Sequence, residues 1–287
     1  MSSASIVLRS ALCGALFLAG AAAGFPTSAR AATLDIPTPY VPSTELNVDE
    51  MLRLADVKAS DVVYDLGSGD GRIVIAAARD WGARGVGIEI DPKLVAESRE
   101  RAQRAGVANR VSFREGDVLK AAVSEATVVT MYLLTPLVAR LQPKLLAELK
   151  PGARIVAHDY PFADWKPDRH VRVSKNFYLY VVPAKITGKW QLAVPVGGAV
   201  REYELELSQR FQEVSGGARV AGGYLPAFEA RLAGERIAFV LVDDNTSYRF
   251  EGRVSGHAME GEVRWGAGPR QQQSTWRATR IVGVGEG

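Results

Sequence analysis

Cysteine is all but absent from this chain of 287 residues: the single one, Cys13, lies in the apolar N-terminal stretch, which excludes a disulfide and a thiolate metal site from everything downstream. The three histidines, His158, His170 and His257, are too scattered to suggest a metal cluster, so no metal is expected. An excess of one charge is lacking too. Lys and Arg number 35 against 32 Asp and Glu, a formal net charge of +3, and Arg9 and Arg30 fall in a leading segment that contains no acid. With no basic stripe and no interleaved aromatics, nucleic acid is not expected as a partner. The apolar run from Ala11 to Phe25 falls short of the about 20 residues that a membrane-spanning helix needs. No internal repeat or low-complexity tract is present.

What is there begins with that leading segment. Arg9, the apolar run and Ala29-Arg30-Ala31 have the charged, apolar and small-residue parts of a secretory signal peptide, with cleavage expected after Ala31 and export to the periplasm as the consequence. An uncleaved anchor holding the chain at the inner membrane, facing the cytoplasm, is the alternative. Cys13 has no apolar run ahead of it, so a lipoprotein site is not expected.

Hydrophobic residues make up 47% of the chain, enough at this length to bury two cores. The expected division is residues 1–31 as signal peptide or anchor, 32–184 as an α/β domain and 185–287 as an antiparallel β domain.

The densest information lies in Val62 to Arg72, where a strand ending at Asp65 runs into Gly67, Ser68, Gly69 and Gly71, followed at once by a helix with Ile73, Val74, Ala76 and Ala77 on its buried side. Glycines there allow a tight turn and close approach of a ligand, and the helix start turns its amides and positive dipole end toward it, which predicts an anionic group on the turn. A dinucleotide fingerprint would need glycine at 72, where Arg72 stands, and a P-loop would need a lysine that the turn lacks.

Downstream the alternation continues. The strand Gly85 to Ile88 ends at Glu89, placed to accept from ribose hydroxyls. Asp91 and Pro92 open a helix as N-cap and first helical residue, and its charged positions from Lys93 to Arg104 read as a solvated face. A strand over Arg110–Arg114 then leads into Glu115-Gly116-Asp117-Val118. Further elements are a strand over Thr127–Leu133, a helix over Pro136–Leu149 and a strand over Arg154–His158. Parallel strands joined by helices imply a doubly wound sheet, with ligand and chemistry at Asp65, Glu89, Asp117, Tyr132 and His158-Asp159.

The run D-L-G-S-G-D-G resembles the first motif of class I S-adenosylmethionine-dependent methyltransferases, and Glu115-Gly116-Asp117-Val118 resembles their acidic turn beside the adenine amino group. With Pro39-Tyr40-Val41-Pro42 ahead of the first helix and Asp159 to Pro167 after the fifth strand, the chain resembles, over roughly Thr38 to Pro183, one small family: the mitochondrial lysine methyltransferases acting on the adenine nucleotide carrier and the ATP synthase c-subunit, with their bacterial relatives. The resemblance implies S-adenosylmethionine as cofactor, held by Asp65, Gly67, Ser68, Gly69, Gly71, Glu89, Asp117 and Val118, and a protein lysine as acceptor, in a membrane protein if the chain is anchored. Asp117 has a plainer reading as a local backbone acceptor, and Asp91 as a helix cap.

Deprotonating a lysine of pKa near 10.4 costs about 4 to 5 kcal/mol at pH 7, so a desolvating pocket or nearby acceptor must offset it. Candidates at the carboxyl edge are Tyr132, Asp159, Tyr160, Asp164 and Trp165, with Tyr40 closing over them. Asp159 is assigned electrostatics, Trp165 the pocket wall and Tyr132 a place at the strand end, against the alternatives of turn caps and a core anchor. Export conflicts with a cofactor made in the cytoplasm. It leaves a second reading, an exported non-catalytic module that retains the fold.

Before this domain, Asn47 with Glu50 reads as a capping-box start, with Pro39 to Pro42 carried over the site as a lid or connector. After Pro183, period-two segments at Trp190–Val194, Tyr203–Leu207, Ala227–Leu232, Ile237–Val242, Ser247–Val254, Gly261–Trp265 and Thr275–Ile281 predict about seven or eight strands in a small barrel or sandwich. Trp190, Tyr224, Trp265 and Trp276 are either its core or a pocket lining.

Overall fold

A computed structural model describes residues 40–221, 223–243 and 245–281. The expected signal segment, Cys13 and Pro39 lie outside the described residues. Among the described residues no helix is long and apolar enough to cross a membrane.

The chain-order elements of the first layer are α1 (Glu45–Leu54), β1 (Val62–Leu66), α2 (Arg72–Trp81), β2 (Arg84–Glu89), α3 (Pro92–Arg104), β3 (Val111–Glu115), β4 (Val128–Met131), α4 (Thr135–Glu148), β5 (Arg154–His158), β6 (Arg169–Arg172) and β7 (Asn176–Val181). They build a seven-stranded sheet in the order β3-β2-β1-β4-β5-β7-β6, parallel through β5 and closed at one edge by the antiparallel β7 and β6. The order reverses between β1 and β4, so a crevice opens at their carboxyl ends.

Period-two alternation explains why β1 is apolar throughout. Val63 packs into the core shared with α1, α2 and α3, whereas Val62, Tyr64 and Leu66 enter the opposite core with Val138, Leu141 and Leu145 of α4.

The structure departs from expectation at the start of α1 and at the antiparallel edge of the sheet. Helix α1 starts earlier, because Thr44 rather than Asn47 caps it: Thr44 Oγ1 accepts the Asn47 amide at 3.3 Å, and the Asn47 side chain is buried accepting from Ser174 Oγ at 2.8 Å. Strands β6 and β7 are absent from the sequence reading, since Arg169–Arg172 is mostly polar and Asn176–Val181 is a largely apolar run without polar alternation. Asp91 caps α3 as expected, accepting from the Lys93 amide at 2.8 Å.

The second layer comprises β8 (Gly188–Val196), β9 (Ala199–Arg210), β10 (Glu213–Val220), β11 (Gly223–Pro226), β12 (Phe228–Ala233), β13 (Arg236–Asp243), β14 (Thr246–Ser255), β15 (Ala258–Trp265) and β16 (Gln272–Arg280). It is an antiparallel nine-stranded sheet in the order β11-β10-β9-β8-β16-β15-β14-β13-β12, curled until β10 meets β12 and the Ala227 amide donates to Gly216 O at 2.9 Å. Strands β10 and β11 escape the sequence reading because Gly216-Gly217 resembles a turn. Here Gly216, at φ 134°, crosses β9 so closely that a Cβ would stand 2.0 Å from Glu206 O. Trp190 and Trp276 fill the barrel core with Phe239 and Phe250, while Tyr224 is exposed, so these aromatics do not line one pocket.

The layers lock through the β9–β10 hairpin. Phe211 stacks on Trp165 with centroids 5.3 Å apart, and Trp165 Nε1 donates to Gln212 Oε1 at 2.8 Å.

Candidate active site

The glycine turn sits at the carboxyl end of β1 and is pinned to β2. The Gly67 and Ser68 amides both donate to Ile88 O, at 2.9 and 3.0 Å, and the Gly69 amide donates to Glu89 Oε2 at 2.9 Å. Gly67, Gly69 and Gly71 have φ of 79°, 53° and 77°, a conformation that favours glycine. The Tyr40 ring covers Gly69, so the leading segment does lie over the turn.

Three carboxylates, Asp65, Asp70 and Glu89, border this turn, and a fourth, Asp117, follows the next strand. Glu89, buried at the end of β2, also accepts the Ile90 and Asp91 amides at 2.7 and 3.0 Å, which fixes its carboxylate at the turn. Asp65 accepts from Thr130 Oγ1 at 2.8 Å, and burial pushes its pKa up to about 7, with the Glu89 and Asp70 charges adding to the effect. Asp70 has no role assigned from sequence. Burial raises its pKa, but Arg72, at 2.6 and 2.9 Å, and Arg101 reverse this and hold it below the usual carboxylate range. Its Oδ1 also accepts the Arg72 amide at 3.3 Å, so the chain's own carboxylate partly serves the helix start where an anionic ligand was expected. Asp117, beyond β3, accepts the Leu119 amide at 2.9 Å, and Val118 beside it is buried in the α4-side core.

Along the other side of the crevice, at the ends of β4 and β5, Tyr132 stacks on His158 with centroids 3.9 Å apart and on Tyr160 at 6.1 Å. His158 is buried, its Nδ1 is 3.2 Å from Ser43 Oγ, and its Nε2 has no hydrogen-bond partner. Burial drops its pKa to about 4, so it is neutral at pH 7. Asp159 follows at φ 59°, a strained backbone for a residue with a Cβ. Its amide donates to Asn176 O at 2.8 Å and its Oδ1 accepts the Asn176 amide at 3.1 Å, while Lys175 Nζ donates to Oδ2 at 2.9 Å. Burial raises the Asp159 pKa, but the Asn176 amide and the Lys175 ammonium outweigh it, leaving an ionised carboxylate.

The remaining candidates do not join this cluster. Trp165 is 1% exposed and stacked between Phe162 and Phe211, so the expected pocket wall is placed in the core as an anchor instead. Asp164 accepts from Gln142 Nε2 at 2.8 Å on the surface. Sequence reasoning missed Asp70, Arg72 and Arg101 as one network, and Lys175. For Asp70 the signal was an acid between two glycines of the turn with an arginine two residues on.

The donor set suits a ligand rich in hydrogen-bond donors and positive charge. With Asp70 neutralised by two arginines, Glu89 and Asp117 remain as carboxylate acceptors, and Ser68 Oγ is buried in the turn without a partner. These residues fit a nucleoside sulfonium such as S-adenosylmethionine.

Comparison with known proteins converges on the same ligand. The family model described as the ANTKMT methyltransferase domain matches residues 65–169. A protein-lysine N-methyltransferase of Saccharolobus islandicus (strain REY15A) is 43% identical over 150 residues, covering 50% of this chain and 93% of the relative. An ATP synthase c-subunit lysine N-methyltransferase of Xenopus laevis is 41% identical over 130 residues, 45% of this chain and 57% of its own length, so the match spans little more than half of that relative. Among solved structures, one described as an RNA methyltransferase from Salinibacter ruber in complex with S-adenosyl-L-homocysteine is 54% identical, with a TM-score of 0.50, covering 51% of this chain and 96% of that one. All three similarities cover about half of this chain.

Proposed function

This chain belongs to the family of the ANTKMT methyltransferase domain, and from that premise we propose that it transfers a methyl group from S-adenosylmethionine to a lysine ε-amine of a protein. The observation that carries the acceptor is the Asp159 carboxylate, which holds a lysine ammonium, that of Lys175, at 2.9 Å at the end of β5. The protein-lysine N-methyltransferase name of the Saccharolobus islandicus relative supports the same reading.

S-adenosylmethionine supplies an electrophilic methyl group on a sulfur that leaves without protonation. The protein's task is alignment and charge placement. Gly67, Ser68 and Gly69 give backbone access, Glu89 orients hydroxyls and Asp117 an exocyclic amine. Asp159 then holds the acceptor nitrogen on which positive charge develops, a preorganised electrostatic contribution. Tyr132, stacked on His158, gives that amine an aromatic surface that limits its hydration.

The test is transfer of labelled methyl from S-adenosylmethionine to a membrane-protein extract, followed by acid hydrolysis and identification of the labelled amino acid. Methyllysine is expected. Label confined to an added RNA fraction would contradict the reading and favour the activity named for the Salinibacter ruber protein.

A further inference from the structure

We propose that Lys175 is itself a methyl acceptor, a self-methylation site whose ε-amine occupies the seat a substrate lysine takes. This rests on the lysine-methyltransferase reading above.

Lys175 Nζ is bound to Asp159 Oδ2 at 2.9 Å, and the amide of the next residue, Asn176, is bound to Oδ1 at 3.1 Å. The lysine and the carboxylate are therefore held by one short stretch of chain. Tyr132 and Tyr160, stacked with centroids 6.1 Å apart, and His158, stacked on Tyr132, stand at the same strand ends as Asp159. The Lys175 side chain remains 47% exposed, so little packing fixes it beyond its contact with the carboxylate. Lys58, Lys144 and Lys189 pair with Asp56, Glu148 and Glu204, none of them at the carboxyl ends of β1, β4 or β5.

In the reaction the Lys175 ammonium first loses a proton to water. The Nζ lone pair then forms the bond to the methyl carbon as the carbon–sulfur bond breaks, its electron pair going to sulfur. The products are a methylammonium on Lys175 and the neutral thioether S-adenosylhomocysteine. Positive charge passes from sulfur to nitrogen, and Asp159 stays ionised throughout. Hydrogen bonding to Asp159 raises the Lys175 pKa, so the amine is scarce near neutral pH and methylation speeds up about tenfold per pH unit until the amine titrates.

The full chain is incubated with methyl-labelled S-adenosylmethionine and an added protein extract, and the peptide carrying Val173 to Asn176 is sequenced by mass spectrometry. Label on Lys175 is expected, at a rate per molecule unchanged by dilution, and absent from Lys175→Arg. A readout without turnover uses the chain reductively methylated with carbon-13 formaldehyde: the Lys175 resonance, assigned by its loss in Lys175→Arg, shifts when S-adenosylhomocysteine is added. Labelled extract proteins with an unlabelled Lys175 overturn self-methylation and leave the lysine reading standing. Absence of methyllysine everywhere, with cofactor bound by calorimetry, overturns both. A labelling rate that falls on dilution, or a resonance unmoved by bound S-adenosylhomocysteine, removes Lys175 from the acceptor seat.

Discussion

The Gly69 amide donates to Oε2 of Glu89 at 2.9 Å, joining the glycine turn to the end of the second strand before any ligand arrives. Glu89 Oε1 serves two more amides, those of Ile90 and Asp91, so one side chain satisfies three backbone donors. Hydrogen bonds to charged groups contribute about 1.5–3 kcal/mol each. Glu89→Ala is therefore expected to lower unfolding free energy by at least about 2 kcal/mol, and Glu89→Gln by less, because its amide oxygen still accepts from Ile90 and Asp91. Urea denaturation of both variants checks this; equal losses would contradict it.

A Cβ on Gly69 would stand 2.2 Å from Tyr40 Cε2, and the position has φ 53°. Gly69→Ala is expected to displace the Tyr40 ring and to add backbone strain of about 1–2 kcal/mol. Combining it with Tyr40→Ala removes the clash but not the strain. A double-mutant cycle on stability should therefore show a favourable coupling of at least about 0.5 kcal/mol, and strict additivity would show that the ring does not rest on the turn.

Two buried groups give opposite pH dependences. Asp65 titrates near 3.8 unfolded and about 7 folded, so the folded state holds the extra proton and this group makes stability fall as pH rises across that window. His158 goes from 6.5 to about 4, so the unfolded state holds the proton and stability rises with pH between about 4 and 6.5. Each contributes a slope of up to about 1.4 kcal/mol per pH unit, and they oppose each other where they overlap. Asp65→Asn should make stability rise more steeply with pH than in the parent, and His158→Gln should make it fall. Denaturation series across pH 4 to 7 decide it: slopes unchanged in both variants would contradict the burial argument.

Trp165 tests anchor against pocket wall. Trp165→Ala should cost about 3–5 kcal/mol, and Trp165→Phe less, chiefly by leaving Gln212 without its donor. Thermal unfolding alongside methyl transfer separates the roles, since a wall residue would lower activity while leaving the melting temperature in place.

The parallel layer was legible because each strand ends in a marker that local chemistry demands: glycines after Asp65, Glu89 before the Asp91-Pro92 cap, Asp117 in its turn. Strands β6 and β7 and the β10–β11 pair were not, because their residues break the alternation that identifies a half-buried strand. For the site, the acids facing the turn could be read from position along the chain. The pairing of Asp70 with Arg101, and of Asp159 with Lys175, depends on packing between segments that spacing alone does not reveal. Trp165 reads as a pocket wall in the sequence because nothing local shows that the β9–β10 hairpin supplies Phe211 and Gln212 to cover it.

The most direct measurement is calorimetric titration of the full chain, and of Glu89→Gln, with S-adenosylmethionine and S-adenosylhomocysteine. The account predicts saturable binding of both ligands to the parent chain and at least about tenfold weaker binding to the variant, the loss of about 1.4 kcal/mol from one charged acceptor. No binding to folded parent protein, or equal binding to both proteins, would contradict the cofactor site at the glycine turn.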